Sequence, residues 1–347
     1  MKRVLVVRTS AIGDVVFATP LAAALRRTFP SAHIAWLVEQ GIEGLLAGDP
    51  AIDQVIVWPK TEWAQLWRTQ RLGALLRAVR DFRARLRAER FDTALDLQGL
   101  LKSAVLTFLS GAPRRIGLDS REGGRLLLTQ SLPRGGPVER ISSEYLHFAR
   151  LLGLDTGEFI PRLAVAAAAE AQAQALLGAE GLAPGRYAVF APFTTRPQKH
   201  WFEDAWRELA GLIQRSLAIT PVLLGAPADR QAAARIAGAG SMADLTGRTS
   251  LPQAAAVIRQ AALVVGVDTG LTHIGVALNR PTIALFGSTR PYLDACRPNA
   301  RVIWLGLDCS PCRRHPTCNG AFTCLRNISP ARVLDEAQLA LAAERAG

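Results

Sequence analysis

Val4-Leu5-Val6-Val7-Arg8-Thr9-Ser10-Ala11-Ile12-Gly13-Asp14 lies at the start of the chain. A short apolar, β-branched run stops at Arg8 and gives way to small residues, which reads as a buried strand running into a loop. Residues 15–29 then place Val16, Leu21, Leu25 and Phe29 near one stripe, the spacing of a helix. Strand, short loop and helix make the first part of a βαβ unit. Lys2 and Arg3 before an apolar run resemble a secretory leader, but Arg8 interrupts the run and no cleavage site closes it.

The pattern repeats outward. Residues 34–38, 54–58 and 92–97 read as further strands, with a helix over 101–109. Pro161, an Ala-rich stretch and Gly181 to Gly185 mark a change over 155–185. The alternation then restarts, with strands at 187–190, 221–224, 263–267 and 282–286 and helices at 201–215, 228–237 and 271–277. A chain of 347 residues exceeds the roughly 250–300 at which one core stops growing, so two domains are expected. The reading is α/β, with Rossmann-like domains over 1–160 and 161–329. A last helix over 330–347 is expected to pack back on the first domain, with Val333, Leu334, Leu339 and Leu341 as core positions.

Net charge is +12, which favours anionic partners: a phosphorylated substrate, a membrane surface or nucleic acid. Aromatics are only 6% and no zinc-finger or RRM spacing is present, so nucleic acid is not expected. The longest apolar runs, such as 163–169, fall far short of the roughly 20 residues that span a bilayer. A cytoplasmic location is expected.

Four stretches carry chemistry. Arg8 to Asp14 joins a strand to a helix, where exposed N–H groups favour anions, yet it lacks both G-x-G-x-x-G and G-K-[ST]. Asp14 is there either a functional carboxylate or a helix cap. Thr194-Thr195-Arg196-Pro197-Gln198-Lys199-His200-Trp201 crowds hydroxyls and cations after a strand, which suits a diphosphate or a solvated loop. In Val267-Asp268-Thr269-Gly270-Leu271-Thr272-His273 a strand runs into a small-residue turn, with His273 one turn into the helix. Asp229, after the strand at 221–224, would grip a ribose diol or start a helix.

Together these stretches resemble glycosyltransferase family 9, the heptosyltransferases, over nearly the whole chain. Leu97-Gln98-Gly99-Leu100-Leu101-Lys102-Ser103 and Val138-Glu139-Arg140 are similar to its mid-domain signatures. Asp268 to His273 is similar to its donor signature. Trp36-Leu37-Val38-Glu39 and the 194–201 stretch look more like heptosyltransferase I than II. The resemblance implies a GT-B fold of two facing Rossmann-like domains and inversion at the anomeric carbon. It implies ADP-L-glycero-β-D-manno-heptose as donor and the Kdo sugar of lipid A-linked core as acceptor, at the inner face of the inner membrane. Asp14 would be the base. Thr194, Thr195, Lys199, Asp229, Asp268, Thr269, Gly270 and His273 would bind the donor, and Ser10, Gly13, Lys60 and Arg68 the acceptor. No cofactor is expected for the chemistry.

Two features stand apart. Trp58, Lys60, Trp63, Trp67 and Arg68 precede a helical run whose apolar stripe reads Leu72, Leu75, Leu76, Val79, Phe82 and Leu86. Arg80, Arg83, Arg87 and Arg90 form another face, either solvated or set against lipid phosphates. Cys309, Cys312, Cys318 and Cys324 have spacing that would suit a structural zinc, with an iron–sulfur cluster and free thiols as alternatives.

Overall fold

The computed structural model describes residues 1–120, 122–238, 242–312 and 315–346. The chain divides into two compact units. The first is Met1–Val138 with Ser142–Ala164, and the second is Glu139–Ile141 with the chain from Val165 on.

The first unit holds a six-stranded sheet of β1 (Arg3–Val7), β2 (His33–Glu39), β3 (Gln54–Trp58), β4 (Thr93–Asp96), β5 (Arg114–Leu118) and β6 (Gln130–Leu132). The order is β3-β2-β1-β4-β5-β6, and every pairing is parallel. β1 and β4 are buried along nearly their whole length, as a sheet covered on both faces requires.

The second unit repeats the plan with β7 (Tyr187–Ala191), β8 (Thr220–Leu223), β9 (Ala243–Asp244), β10 (Leu263–Val267), β11 (Thr282–Phe286) and β12 (Ala300–Trp304). Its order, β12-β11-β10-β7-β8-β9, is the same doubly wound order read from the other edge. In such sheets ligands bind beyond the carboxyl ends of the strands, where the order reverses. That point is β1/β4 in the first sheet and β7/β10 in the second. The loops at 8–14, 97–103, 192–200 and 268–273 leave the sheets there.

Several elements differ from the sequence reading. The single helix over 15–29 is two, Ile12–Ala18 and Pro20–Thr28, because Pro20 has no N–H to continue the ladder. Asp14 thus sits inside the first helical turn. The Ala-rich stretch forms helix Ala167–Ala179, packed against helix Leu251–Arg259. The last helix, Pro330–Ala346, belongs to the second unit. It lies against helix Glu203–Leu217 and against β11 and β12. Val333, Ala337 and Ala340 form its buried face, and the small alanines permit a close approach. Leu339, expected in the core, lies off that face and is exposed.

The basic stretch forms helices Lys60–Arg68 and Leu72–Ala88. Trp63 packs edge-on against Trp58 and Phe82, and Phe82 and Leu86 enter the first core. Leu72 and Leu76 do not: they are exposed, since they share a flank with Arg80 rather than with Phe82.

Candidate active site

In the first unit the switch-point loops knit together by polar side chains. Arg8 follows β1 and is buried, and its guanidinium grips Asp14 at 2.5 Å. Burial works against that charge, but Tyr145, Asp14, Glu144 and Asp96 outweigh it and hold Arg8 protonated. Asp14 itself is half-exposed. Its second contact, from the Ala11 N–H, is long at 3.4 Å, so the carboxylate is held mainly by Arg8 rather than as a helix cap.

Glu39, at the end of β2, accepts from the Ser10 hydroxyl at 2.9 Å, Lys60 at 2.9 Å and Lys102 at 3.3 Å. Burial pushes its carboxyl up, but Lys60, Ser10 and Lys102 together bring it below the usual range. Thr9 Oγ1 donates to Gln98 Oε1 at 2.9 Å, which ties the loop after β1 to the one after β4. The buried Asp96 accepts from the Gln98 and Gly99 N–H groups and from Ser103. Gly99 is left-handed at φ +64°, and an added Cβ would meet Leu118 O at 3.0 Å, so this turn favours glycine. Gly13 lies in the helical turn beside Asp14, with no polar side-chain role. Lys60 and Arg68 line one cavity of about 480 Å³, together with Glu39, Gln40, Thr61 and Gln65.

In the second unit the switch-point loops meet at Asp268. Its carboxylate accepts from Lys199 Nζ at 2.5 Å, Thr289 Oγ1 at 2.6 Å and His273 Nε2 at 3.1 Å. Burial alone would push this carboxyl up, but His273 and Lys199 reverse the effect and hold it far below the usual range. An ionised carboxylate only accepts, so Nε2 carries the ring proton. In the neutral ring Nδ1 then accepts from the buried Tyr292 hydroxyl, 3.0 Å away. Burial pushes the Tyr292 phenol up, which keeps it a donor.

Thr269 is extended and leads into helix Gly270–Ala277, whose first N–H groups have no partner within the helix. Gly266 permits this sharp exit. An added Cβ there would lie 2.1 Å from Thr272 Oγ1, which donates to Val267 O.

Not every expected residue joins this cluster. The Thr194 carbonyl pairs with His200 Nε2 at 2.8 Å, and Asp268 takes its side-chain hydrogen bonds from Lys199, Thr289 and His273. Asp229 lies one strand further along, after β8, and its carboxylate accepts from the Ala226 N–H at 2.8 Å. That is the helix-start role; a free oxygen remains for a further donor.

Among the described residues no three metal-binding side chains gather into a group that could hold a metal. Cys309 is exposed, while Cys324 is buried in the second core against Gly287. Burial pushes the Cys324 thiol up, Cys312, Cys309 and Cys318 act on it in the same direction, and Cys324 packs as a small apolar residue.

The sequence reading missed Glu39 and Lys102 as a linked pair, Arg8 as the partner of Asp14, and both Thr289 and Tyr292. The last two had a signal: they follow β11, the strand beside β10, at the same sheet edge.

The family model for glycosyltransferase family 9 (heptosyltransferase) matches residues 79–322. Lipopolysaccharide heptosyltransferase 1 of Pseudomonas aeruginosa is 34% identical over 318 residues, 89% of this chain and 86% of that protein. The Escherichia coli K12 enzyme of the same name is 32% identical over 295 residues, 84% of this chain and 89% of its own length. Among solved structures, E. coli heptosyltransferase WaaC with ADP-2-deoxy-2-fluoro heptose superposes with a TM-score of 0.73 at 30% identity. That match covers 96% of this chain and 99% of that one. The paired six-stranded parallel sheets are those of a GT-B type α/β enzyme. By these matches and by its switch-point loops, the chain belongs to glycosyltransferase family 9, the heptosyltransferases.

Proposed function

We propose that this glycosyltransferase moves heptose from ADP-L-glycero-β-D-manno-heptose to the Kdo residue of the lipopolysaccharide inner core, with inversion. The observation that carries the reading is the Lys199–Asp268–His273–Tyr292 network at the carboxyl end of β10, beside helix-start N–H groups that have no partner within their helix.

The acceptor hydroxyl attacks the anomeric carbon and gives its proton to Asp14. The bond from that carbon to the β-phosphate oxygen breaks, and ADP departs with an added negative charge. An ammonium has three N–H donors, and Asp268 engages Lys199 without exhausting them. The remainder, with the N–H groups at Thr269 and Gly270 and the hydroxyls of Thr194 and Thr195, would meet the diphosphate. Fixed donors of this kind stabilise leaving-group charge without a metal. Asp229 would take the ribose diol. Lys60 and Arg68, with Ser10 and Gly13 nearby in sequence to Asp14, would receive the anionic acceptor. No cofactor enters the chemistry. Because the acceptor is lipid-linked, the protein would work at the inner face of the inner membrane; among the described residues no helix is long and apolar enough to cross it.

The test is transfer from ADP-heptose to Kdo-bearing lipid A, with the product's anomeric configuration read by NMR. UDP- and GDP-sugars and a heptose-bearing acceptor serve as comparisons. Inverted product on Kdo supports the reading. Rearrangement of donor without acceptor, or transfer only to the heptose-bearing core, would overturn it.

A further inference from the structure

Residues 60–90 hold nine basic and three acidic side chains, a net +6 within a chain of +12. They form the helix pair Lys60–Arg68 and Leu72–Ala88, which contact each other. No residue of the first helix is buried, and only Phe82 and Leu86 of the second are. The pair exposes large apolar groups: Trp67 at 66%, Leu72 at 51% and Leu76 at 70%. Leu72, Leu76, Arg80, Arg83 and Arg87 follow one another at steps of three and four, so they share one flank. The flank is apolar in its first turns and basic in the rest.

We propose that this flank docks on an anionic lipid surface, with Trp67, Leu72 and Leu76 entering the interface and Arg80, Arg83 and Arg87 against headgroup phosphates. Helices that lie in a bilayer interface combine these two groups, aromatic or leucine side chains in the acyl boundary and arginines at the phosphates. Each basic residue near an anionic surface strengthens partition about fivefold. A second copy of the chain is disfavoured as occupant. A two-fold contact sets the patch against itself and brings like charges together. Nucleic acid accounts for the arginines but not for two exposed leucines, which offer no ring for a base to stack on. The first helix also carries Lys60 and Arg68 on the 480 Å³ cavity, so docking would set that cavity beside the lipid headgroups. The inference deepens the membrane side of the proposed function and rests on that reading only for the acceptor's location.

The test is flotation of the full-length protein with vesicles of phosphatidylcholine, with or without phosphatidylglycerol, over a range of salt. The wild type is expected to bind the anionic vesicles at least tenfold better than the neutral ones. The triple variant Trp67→Ser, Leu72→Ser, Leu76→Ser should lose at least tenfold of that binding, yet transfer heptose to a deacylated, soluble Kdo acceptor at the wild-type rate. The variant Arg80→Gln, Arg83→Gln, Arg87→Gln should lose the preference for anionic lipid and the salt dependence. Wild-type vesicle binding by either variant would overturn the proposal, as would tighter binding to RNA than to anionic vesicles. Normal vesicle behaviour with no transfer to the soluble acceptor would leave docking standing and sink the heptosyltransferase reading instead.

Discussion

Lys199 and Asp268 stand 69 residues apart in the chain and meet at 2.5 Å, each side chain about one-sixth exposed. One leaves the sheet after β7 and the other after β10, the two strands that flank the switch point. The pair therefore joins the loops that the donor reading needs together.

Breaking this pair should be costly. Lys199→Met leaves a largely buried carboxylate with one fewer partner, and loss of a buried partner costs about 3 kcal/mol or more. Urea unfolding should show that loss, and calorimetry should show weaker ADP binding. Unchanged ADP affinity would remove Lys199 from the donor site.

The pH dependence has a definite sign. Asp268 is held below its unfolded value of about 3.9. Its contribution is therefore full above that value and is lost as pH falls through the lower folded value. The stability gap between wild type and Asp268→Asn should be flat from neutral pH to about 5 and shrink below about 4. A gap that grows on acidification would contradict the assigned charge state.

Tyr292→Phe deletes the hydroxyl 3.0 Å from His273 Nδ1 and removes that buried hydrogen bond. That should cost about 1–3 kcal/mol of stability. Nitrogen NMR of His273 should still show the proton on Nε2, where Asp268 accepts it, with the Nδ1 resonance shifted by loss of the hydroxyl donor. An unshifted Nδ1 resonance would mean that the Tyr292 hydroxyl does not donate to it.

Asp14→Ala should lower turnover by ~10²–10⁴, the usual contribution of a general base, with ADP binding preserved. Arg8→Met should leave Asp14 unanchored and reduce turnover as well, by roughly tenfold if only orientation is lost. Full turnover of the Asp14 variant would exclude it as the base.

Gly266→Ala would force a Cβ to 2.1 Å from Thr272 Oγ1 and 2.9 Å from Ala191 Cβ. Overpacking of this kind costs about 1–3 kcal/mol. Because Thr272 sits in the first turn of helix Gly270–Ala277, ADP affinity should fall along with the melting temperature. A stable variant with normal ADP affinity would show that the turn tolerates the methyl.

Much of this was legible beforehand. Val4 to Val7 and Leu263 to Val267 announce buried parallel strands by their unbroken apolar runs. Asp14, Lys199 and Asp268 could be picked out because each follows such a strand. Other residues were hidden for physical reasons. Helix Lys60–Arg68 buries nothing, so no apolar period marks it. β9 is two residues long, too short for any period. Tyr292 looks like an ordinary loop aromatic until it is seen 3.0 Å from His273.

Local chemistry determined the strands, the small-residue turns and the positions where carboxylates and cations leave them, because hydrophobic period and turn preference act over a few residues. Tertiary structure alone decided who pairs with whom: Arg8 with Asp14, Glu39 with Lys60 and Lys102, Asp268 with Lys199, Thr289 and His273. It also decided that Leu72 and Leu76 face outward and that the last helix joins the second core. Pairing across tens of residues follows from strand order and burial, and neither leaves a trace in the spacing of neighbours along the chain.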